Sequence, residues 1–125
     1  MSERVTVGDP ADPSTMMGPL IRETQRVRVE HYVQTAVEAG ATLVTGGRRP
    51  SNLGKGFFFE PTFFDNVDNA SELAQDEVFG PVGAVIGYDS DEEAIALAND
   101  SRFGLSGAIF SADAGLAYEM AGEIR

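Results

Sequence analysis

The sequence has no cysteine and only one histidine among its 125 residues. Without cysteine, the chain cannot form a disulfide scaffold, a thiolate zinc site or a cysteine nucleophile of its own. A single histidine, His31, also leaves little room for a histidine-based metal site or a catalytic triad. Asp65, Asp68 and Asp76 lack the spacing of a calcium loop, so we predict no metal site.

Basic residues are also scarce: the chain has 9 lysines and arginines but 20 aspartates and glutamates, which gives a net charge of −11. This charge repels phosphate backbones and anionic lipids, so neither nucleic acid nor a membrane surface is an expected partner. The apolar run from Pro81 to Tyr88 is far shorter than the ~20 residues of a membrane-spanning helix. The segment from Met1 to Arg4 has no apolar signal-peptide core, so we expect a cytoplasmic protein.

Hydrophobic residues make up 42% of the chain and charged residues 23%, which is typical of one globular domain with a core. Apolar residues recur at spacings of three and four between Glu23 and Ala39, which predicts a helix ended by Gly40. A short strand is expected next, over Ala41 to Thr45. Two aromatic runs of strand-forming residues, Phe57–Phe59 and Thr62–Phe64, are interrupted by Pro61, which favours an edge or irregular strand there.

The second half of the sequence alternates buried-strand patterns with helix starts. Ser90 and Glu93 form a capping box, and Asp113 is a second helix cap. The predicted elements are a helical turn at 71–74, a strand at 82–88, a helix at 91–99, a strand at 105–110 and a helix running past 125. Strands alternating with helices predict an α/β fold with a mostly parallel sheet and flanking helices.

One stretch, Glu77-Val78-Phe79-Gly80-Pro81, has the composition of a ligand site. In an extended chain Glu77 and Phe79 point to the same face, and Gly80 would let a ligand approach the backbone. A carboxylate can accept from two ribose hydroxyls, and a phenyl ring can pack on a nicotinamide. The alternative is that Phe79 belongs to the core and Glu77 is a surface acid.

The stretch Glu77–Val82 resembles the Glu-aliphatic-Phe-Gly-Pro signature of the aldehyde dehydrogenase superfamily. Further similar segments occur in the family's order: Val7–Pro10 with Gly18–Leu20, Arg28-Val29 with Tyr32-Val33, Glu38–Ala41 before Gly46-Gly47, Gly56–Phe58 before Glu60–Thr62, and Ala98–Ser101 before Phe103–Ser106. The resemblance implies that Glu77 holds the nicotinamide ribose and that Phe79 flanks the nicotinamide. It also places Gln25 and Arg28 near the cofactor, which would be NAD or NADP.

The resemblance further implies oxidation of an aldehyde to an acid through a cysteine thiohemiacetal. The family's cysteine, general base and nucleotide-binding domain lie upstream of the segments matched here. Residues 1–125 are therefore expected to be the second half of a catalytic domain, with no catalytic residue, no activity alone and a tendency to self-associate. The alternatives are a non-catalytic assembly or binding module, from a truncated or split gene, and an unrelated small α/β domain.

Overall fold

The computed structural model describes residues 4–125, which divide into two compact units. The first unit extends to Ile86, and the second covers Gly87–Arg125. The first contains, in chain order, helix α1 (Glu23–Glu38), strands β1 (Thr42–Thr45) and β2 (Thr62–Asp65), helix α2 (Glu72–Gln75) and strand β3 (Val82–Ala84). The second contains helices α3 (Asp91–Asn99) and α4 (Ala114–Glu123).

The sheet of the first unit has three strands in the order β1-β2-β3. The β1–β2 pair is antiparallel and the β2–β3 pair is parallel, so the sheet is mixed rather than mostly parallel. The α/β class with flanking helices is confirmed. Of the aromatic residues predicted to form an edge or irregular strand, Phe57–Phe59 form no strand and Thr62–Phe64 lie in β2, which is central. The edge position is wrong because Pro61 lies just before β2, where its missing N–H costs no ladder bond. The pairing of β2 with β1 is irregular, since its register shifts between Leu43 and Thr45. The first N–H of the strand, that of Thr62, donates to Pro81 O at 2.8 Å.

The core of the first unit forms around the apolar face of α1. Val29, Tyr32, Val33 and Ala36 are buried there, as the spacing predicts, whereas Val37 is half exposed. Gly40 adopts φ +90°, which confirms its role as the residue that ends the helix. The rest of the buried cluster comes from the sheet and its loops: Phe59, Phe64, Val67, Leu73 and Val78.

Two predicted strands and the last predicted helix also differ from the structure. β3 ends at Ala84 instead of Tyr88 because its partner β2 ends at Asp65, where Asn66 turns the chain with φ 54°. Residues 105–110 form no strand, and Leu105 and Phe110 are 96% and 95% exposed. A strand takes its backbone hydrogen bonds from a neighbour, and among the described residues no strand pairs with this segment.

The last helix, predicted to continue past Arg125, ends at Glu123. The Asn99 side chain donates to Glu123 O at 2.9 Å and accepts from the Arg125 N–H at 2.9 Å, so it satisfies backbone groups at the helix end. Within residues 4–125, no helix combines the length and the apolar character that a membrane crossing requires.

Candidate functional site

The four residues predicted to bind a cofactor lie together in the first unit. Glu77 and Phe79 belong to the loop between α2 and β3, and Gln25 and Arg28 lie on the first two turns of α1. Side chains of α1 reach the backbone of this loop, which is about fifty residues away in sequence. The fold therefore brings all four residues to one place.

Gln25 bonds to two consecutive carbonyls of the loop. Its Nε2 donates to Val78 O at 2.9 Å and to Phe79 O at 2.8 Å. Phe79 has φ 53°, in the left-handed region, so the extended conformation predicted for it is wrong. This conformation costs a non-glycine residue about 1–2 kcal/mol. Two hydrogen bonds worth ~0.5–1.5 kcal/mol each are enough to offset that cost.

Arg28 holds the start of the same loop. Its Nη2 donates to Glu77 O at 2.8 Å and to the Tyr32 hydroxyl at 3.2 Å. The Tyr32 hydroxyl in turn donates to Asp76 Oδ2 at 3.0 Å. The guanidinium also lies 6.0 Å from the Phe79 ring centroid, within range of a cation–π contact. Arg28 thus holds the loop backbone and lies over one face of the Phe79 ring, and Tyr32 holds the Asp76 side chain.

Exposure alternates along the loop. Val78 is buried in the core, whereas Glu77 is exposed and Phe79 is 64% exposed. The alternative in which Phe79 is a core residue is therefore wrong. Within residues 4–125, no side chain or backbone group forms a hydrogen bond or ion pair with the Glu77 carboxylate. The loop presents an unpaired carboxylate and an aromatic ring to solvent.

Gly80 serves packing rather than ligand approach. A Cβ at this position would overlap Cγ2 of Val29, which is fully buried in α1. The ligand-access explanation of Gly80 is therefore wrong, because helix α1 occupies that space. The residue is glycine because the loop lies directly against the helix.

The sequence reasoning missed Tyr32 and Asp76 as parts of this arrangement. Tyr32 follows Arg28 by four residues, a spacing that places both on one helix face, and this was the available signal. Asp76 immediately precedes Glu77, but it lies 44 residues from Tyr32 in sequence, so no local pattern links these two side chains. His31, on the same helix as Tyr32, is an exposed surface residue whose Nε2 lies 3.5 Å from Glu72 Oε1.

The chemistry of the site is that of binding. Glu77 offers acceptors for hydroxyl groups, and the Phe79 ring offers a flat apolar face. The chain has no cysteine, and the described residues contain no group of three His, Cys, Asp or Glu side chains able to hold a metal ion. These groups are able to orient a ligand, and the chain supplies no cysteine thiol as a nucleophile.

Comparisons with known proteins agree on one family. The protein-family model described as "Aldehyde dehydrogenase family" matches residues 1–125. Betaine aldehyde dehydrogenases of Brucella ovis and Brucella anthropi are 42% and 40% identical to this chain over 126 residues. The match covers 99% of this chain and 26% of each relative, so the chain spans about a quarter of their length.

Solved structures give the same result. Mycobacterium tuberculosis aldehyde dehydrogenase complexed with NAD+ matches with a TM-score of 0.96 and 48% identity, over 99% of this chain and 26% of that one. Staphylococcus aureus betaine aldehyde dehydrogenase in complex with NAD+ gives a TM-score of 0.95 and 43% identity, over 98% and 25%. On the family match over its full length and on these similarities, the chain belongs to the aldehyde dehydrogenase family.

Proposed function

We propose that this chain supplies the nicotinamide-binding loop of an NAD-dependent aldehyde dehydrogenase. The observation that carries the proposal is the exposed pair of Glu77 and Phe79 on a loop held by α1. NAD is favoured over NADP because the similar M. tuberculosis and S. aureus enzymes are described with NAD+ bound. The bound cofactor would accept hydride from an aldehyde-derived intermediate.

In this proposal the chain's own residues bind and orient. The Glu77 carboxylate accepts from both hydroxyls of the nicotinamide ribose, since it has no other partner among the described residues. The Phe79 ring packs on the nicotinamide face. Gln25 and Arg28 belong to the same site, since both bond to the backbone of the loop. The nucleophilic cysteine must come from another segment because this chain has none.

The proposed substrate is an aldehyde that is oxidised to a carboxylic acid in the complete enzyme. Nucleic acids and membrane surfaces are not proposed partners, because the net charge of −11 repels both. The proposed location is the cytoplasm. Imaging of the tagged complete enzyme tests this location directly.

The test is Glu77→Gln in the complete enzyme. Hydrogen bonds to a charged group are worth about 1.5–3 kcal/mol, so losing the ribose anchor should slow hydride transfer roughly ten- to a hundredfold. The deuterium isotope effect from a labelled aldehyde should rise, and cysteine alkylation should keep its rate because the nucleophile lies elsewhere. Glu77→Asp should fall between, since its shorter side chain reaches the diol poorly.

The matched control is Glu38→Gln. Glu38 is an exposed glutamate at the far end of α1 that accepts from Gln34, and it lies outside the loop. Its replacement should leave hydride transfer unchanged. Unchanged hydride transfer in both Glu77 variants would remove Glu77 from the site and with it the proposed function.

The isolated 125-residue chain should produce no NADH from aldehydes. Forming the thiohemiacetal requires a thiolate, and no residue of the chain can replace it. A spectrophotometric assay with a heat-treated sample as control measures this. Turnover above the control would contradict the requirement for a second, cysteine-bearing segment.

A further inference from the structure

A single amide group binds two neighbouring carbonyls at the centre of the loop. Gln25 Nε2 lies 2.9 Å from Val78 O and 2.8 Å from Phe79 O. In an extended segment, successive carbonyls point to opposite sides of the chain and cannot meet one donor. They converge only when the residue between them has helix-type dihedral angles, and Phe79 has φ 53°.

We propose that Gln25 is a positioning residue that maintains the left-handed conformation of Phe79 and thereby orients the Phe79 ring and the Glu77 carboxylate. In this role Gln25 acts through the loop backbone and does not contact the cofactor. The consequence for NAD+ rests on the function proposed above. The consequence for the loop conformation stands independently of it.

The neighbours of Phe79 explain why one side chain can have this effect. Val78 is buried in the core, and Gly80 lies against Val29, so the residues on both sides are fixed by packing. Arg28 holds the preceding carbonyl, that of Glu77. Phe79 is the exposed residue between these fixed points, and a phenylalanine disfavours positive φ. Without the donor from Gln25, φ of Phe79 should return to negative values.

The first test uses the full 125-residue chain without cofactor. Gln25→Glu keeps the size of the side chain but replaces the donor with an acceptor that the two carbonyls repel. NMR backbone shifts and the intraresidue HN–Hα NOE of Phe79 report the sign of φ. We expect the positive-φ signature in the native chain and its loss in Gln25→Glu. Retention of the signature would overturn the proposal.

The matched control is Gln34→Glu, a glutamine on the same helix whose side chain, within residues 4–125, forms a hydrogen bond only with Glu38. It should leave the Phe79 signals unchanged. Gln25→Met removes the donor without adding charge, and it gives the same measurement if Gln25→Glu fails to fold. Unfolding of both Gln25 variants would also overturn the proposal, because Gln25 would then determine the whole fold rather than one loop.

The second test measures NAD+ affinity in the complete enzyme by calorimetry. Gln25→Glu should weaken NAD+ binding about tenfold, the effect of losing two neutral hydrogen bonds that order the site. In a Phe79→Gly background the same substitution should have almost no effect, because glycine adopts positive φ unaided and the ring is gone. Additive losses would show that Gln25 contacts the cofactor itself and would overturn the positioning role.

The two hypotheses fail in different ways. If Glu77→Gln weakens NAD+ binding and Gln25→Glu does not, the positioning role is wrong and the proposed function stands. If Gln25→Glu changes φ of Phe79 while neither variant alters NAD+ binding, the loop is positioned by Gln25 but does not hold the nicotinamide end of the cofactor.

Discussion

At the scale of single residues, the contact between Gly80 and Val29 sets how closely the candidate loop approaches helix α1. Any Cβ at position 80 would overlap the Val29 side chain, which is fully buried and cannot turn towards solvent. Gly80 also precedes Pro81, which confines it to extended conformations. The loop and the helix are thus matched in shape at one point of contact.

Gly80→Ala should therefore destabilise the chain by about 1–3 kcal/mol, as overpacked core positions do. The double variant Gly80→Ala/Val29→Ala should lose less than the sum of its single variants, because the smaller residue at 29 makes room for the methyl group. Urea unfolding followed by far-UV circular dichroism measures each free energy. Gly54→Ala is the control, since nothing lies within 4 Å of the Cβ position there. Strictly additive losses would contradict a direct overlap.

The exposure of Glu77 and Phe79 agrees with the sequence-based prediction of a ligand site, whereas the conformation of the loop does not follow it. The types and spacing of Glu77 and Phe79, together with the family resemblance, singled out this loop, and both side chains are exposed. The left-handed Phe79 could not be predicted, because it depends on Gln25, which lies more than fifty residues away in sequence. A distant donor overrode the local preference for an extended chain.

At the scale of elements, helices were predicted more accurately than strands. The cap of α3 shows why: Ser90 Oγ accepts from the Glu93 N–H at 3.2 Å, so the sequence pattern that predicts the start of the helix lies within four residues. The Glu93 carboxylate returns to the N–H of Asp89, one residue before the cap, which makes the capping box slightly wider than expected. The segment 105–110 has a strand's composition, but a strand also needs a neighbour, and the described sheet offers it none.

Glu30 and Arg49 join α1 to the glycine-rich loop after β1. Arg49 Nε and Nη2 donate to the two Glu30 carboxylate oxygens at 2.6 and 3.0 Å. These hydrogen bonds, helped by the positive charges of Arg49 and Arg26, hold the pKa of Glu30 below its ordinary value of 4.5, although burial opposes them. The folded-state pKa is thus lower than the unfolded one, so the folded chain favours the ionised carboxylate.

Because that pKa is lowered, the contribution of Glu30 to stability should be complete above about pH 4.5 and be lost as the pH falls through the folded-state pKa. Glu30→Gln should cost less than about 1 kcal/mol at neutral pH, since the pair is partly exposed. The cost should vanish in acid. Urea unfolding at a series of pH values measures this, with Glu38→Gln as a control on the same helix. A cost that is equal at all pH values would show that charge is not involved.

At the scale of the whole molecule, the second unit exposes much apolar surface. Leu105, Phe110 and Tyr118 are 96%, 95% and 83% exposed. An open groove of about 780 Å³ lies in the same unit and is lined mainly by small and apolar residues: Ala98, Gly107 to Ser111, Ala114, Ala117, Tyr118, Ala121 and Ile124. Large exposed apolar patches tend to become covered by a partner.

We propose that a second copy of the chain covers this surface, so that the isolated chain self-associates. Light scattering at increasing concentration should show a dimer or larger species. The double variant Leu105→Ser/Phe110→Ser should shift the species towards monomer, because it removes the two most exposed large apolar side chains of residues 4–125. Val44→Ser, which alters an exposed residue of the edge strand β1 in the first unit, is the control. A monomer at all concentrations would contradict self-association.

The overlap between positions 29 and 80 also has a consequence for how sequences of this fold can drift. Val29 on the helix is β-branched, and Gly80 on the loop has no side chain. Because the two residues are packed together, neither can be substituted freely while the other is unchanged. Relatives that carry a larger residue at the position of Gly80 should carry a smaller one at the position of Val29, and glycine at 80 should accompany the bulky residues at 29. The two positions, fifty-one apart in the chain, would then evolve as one.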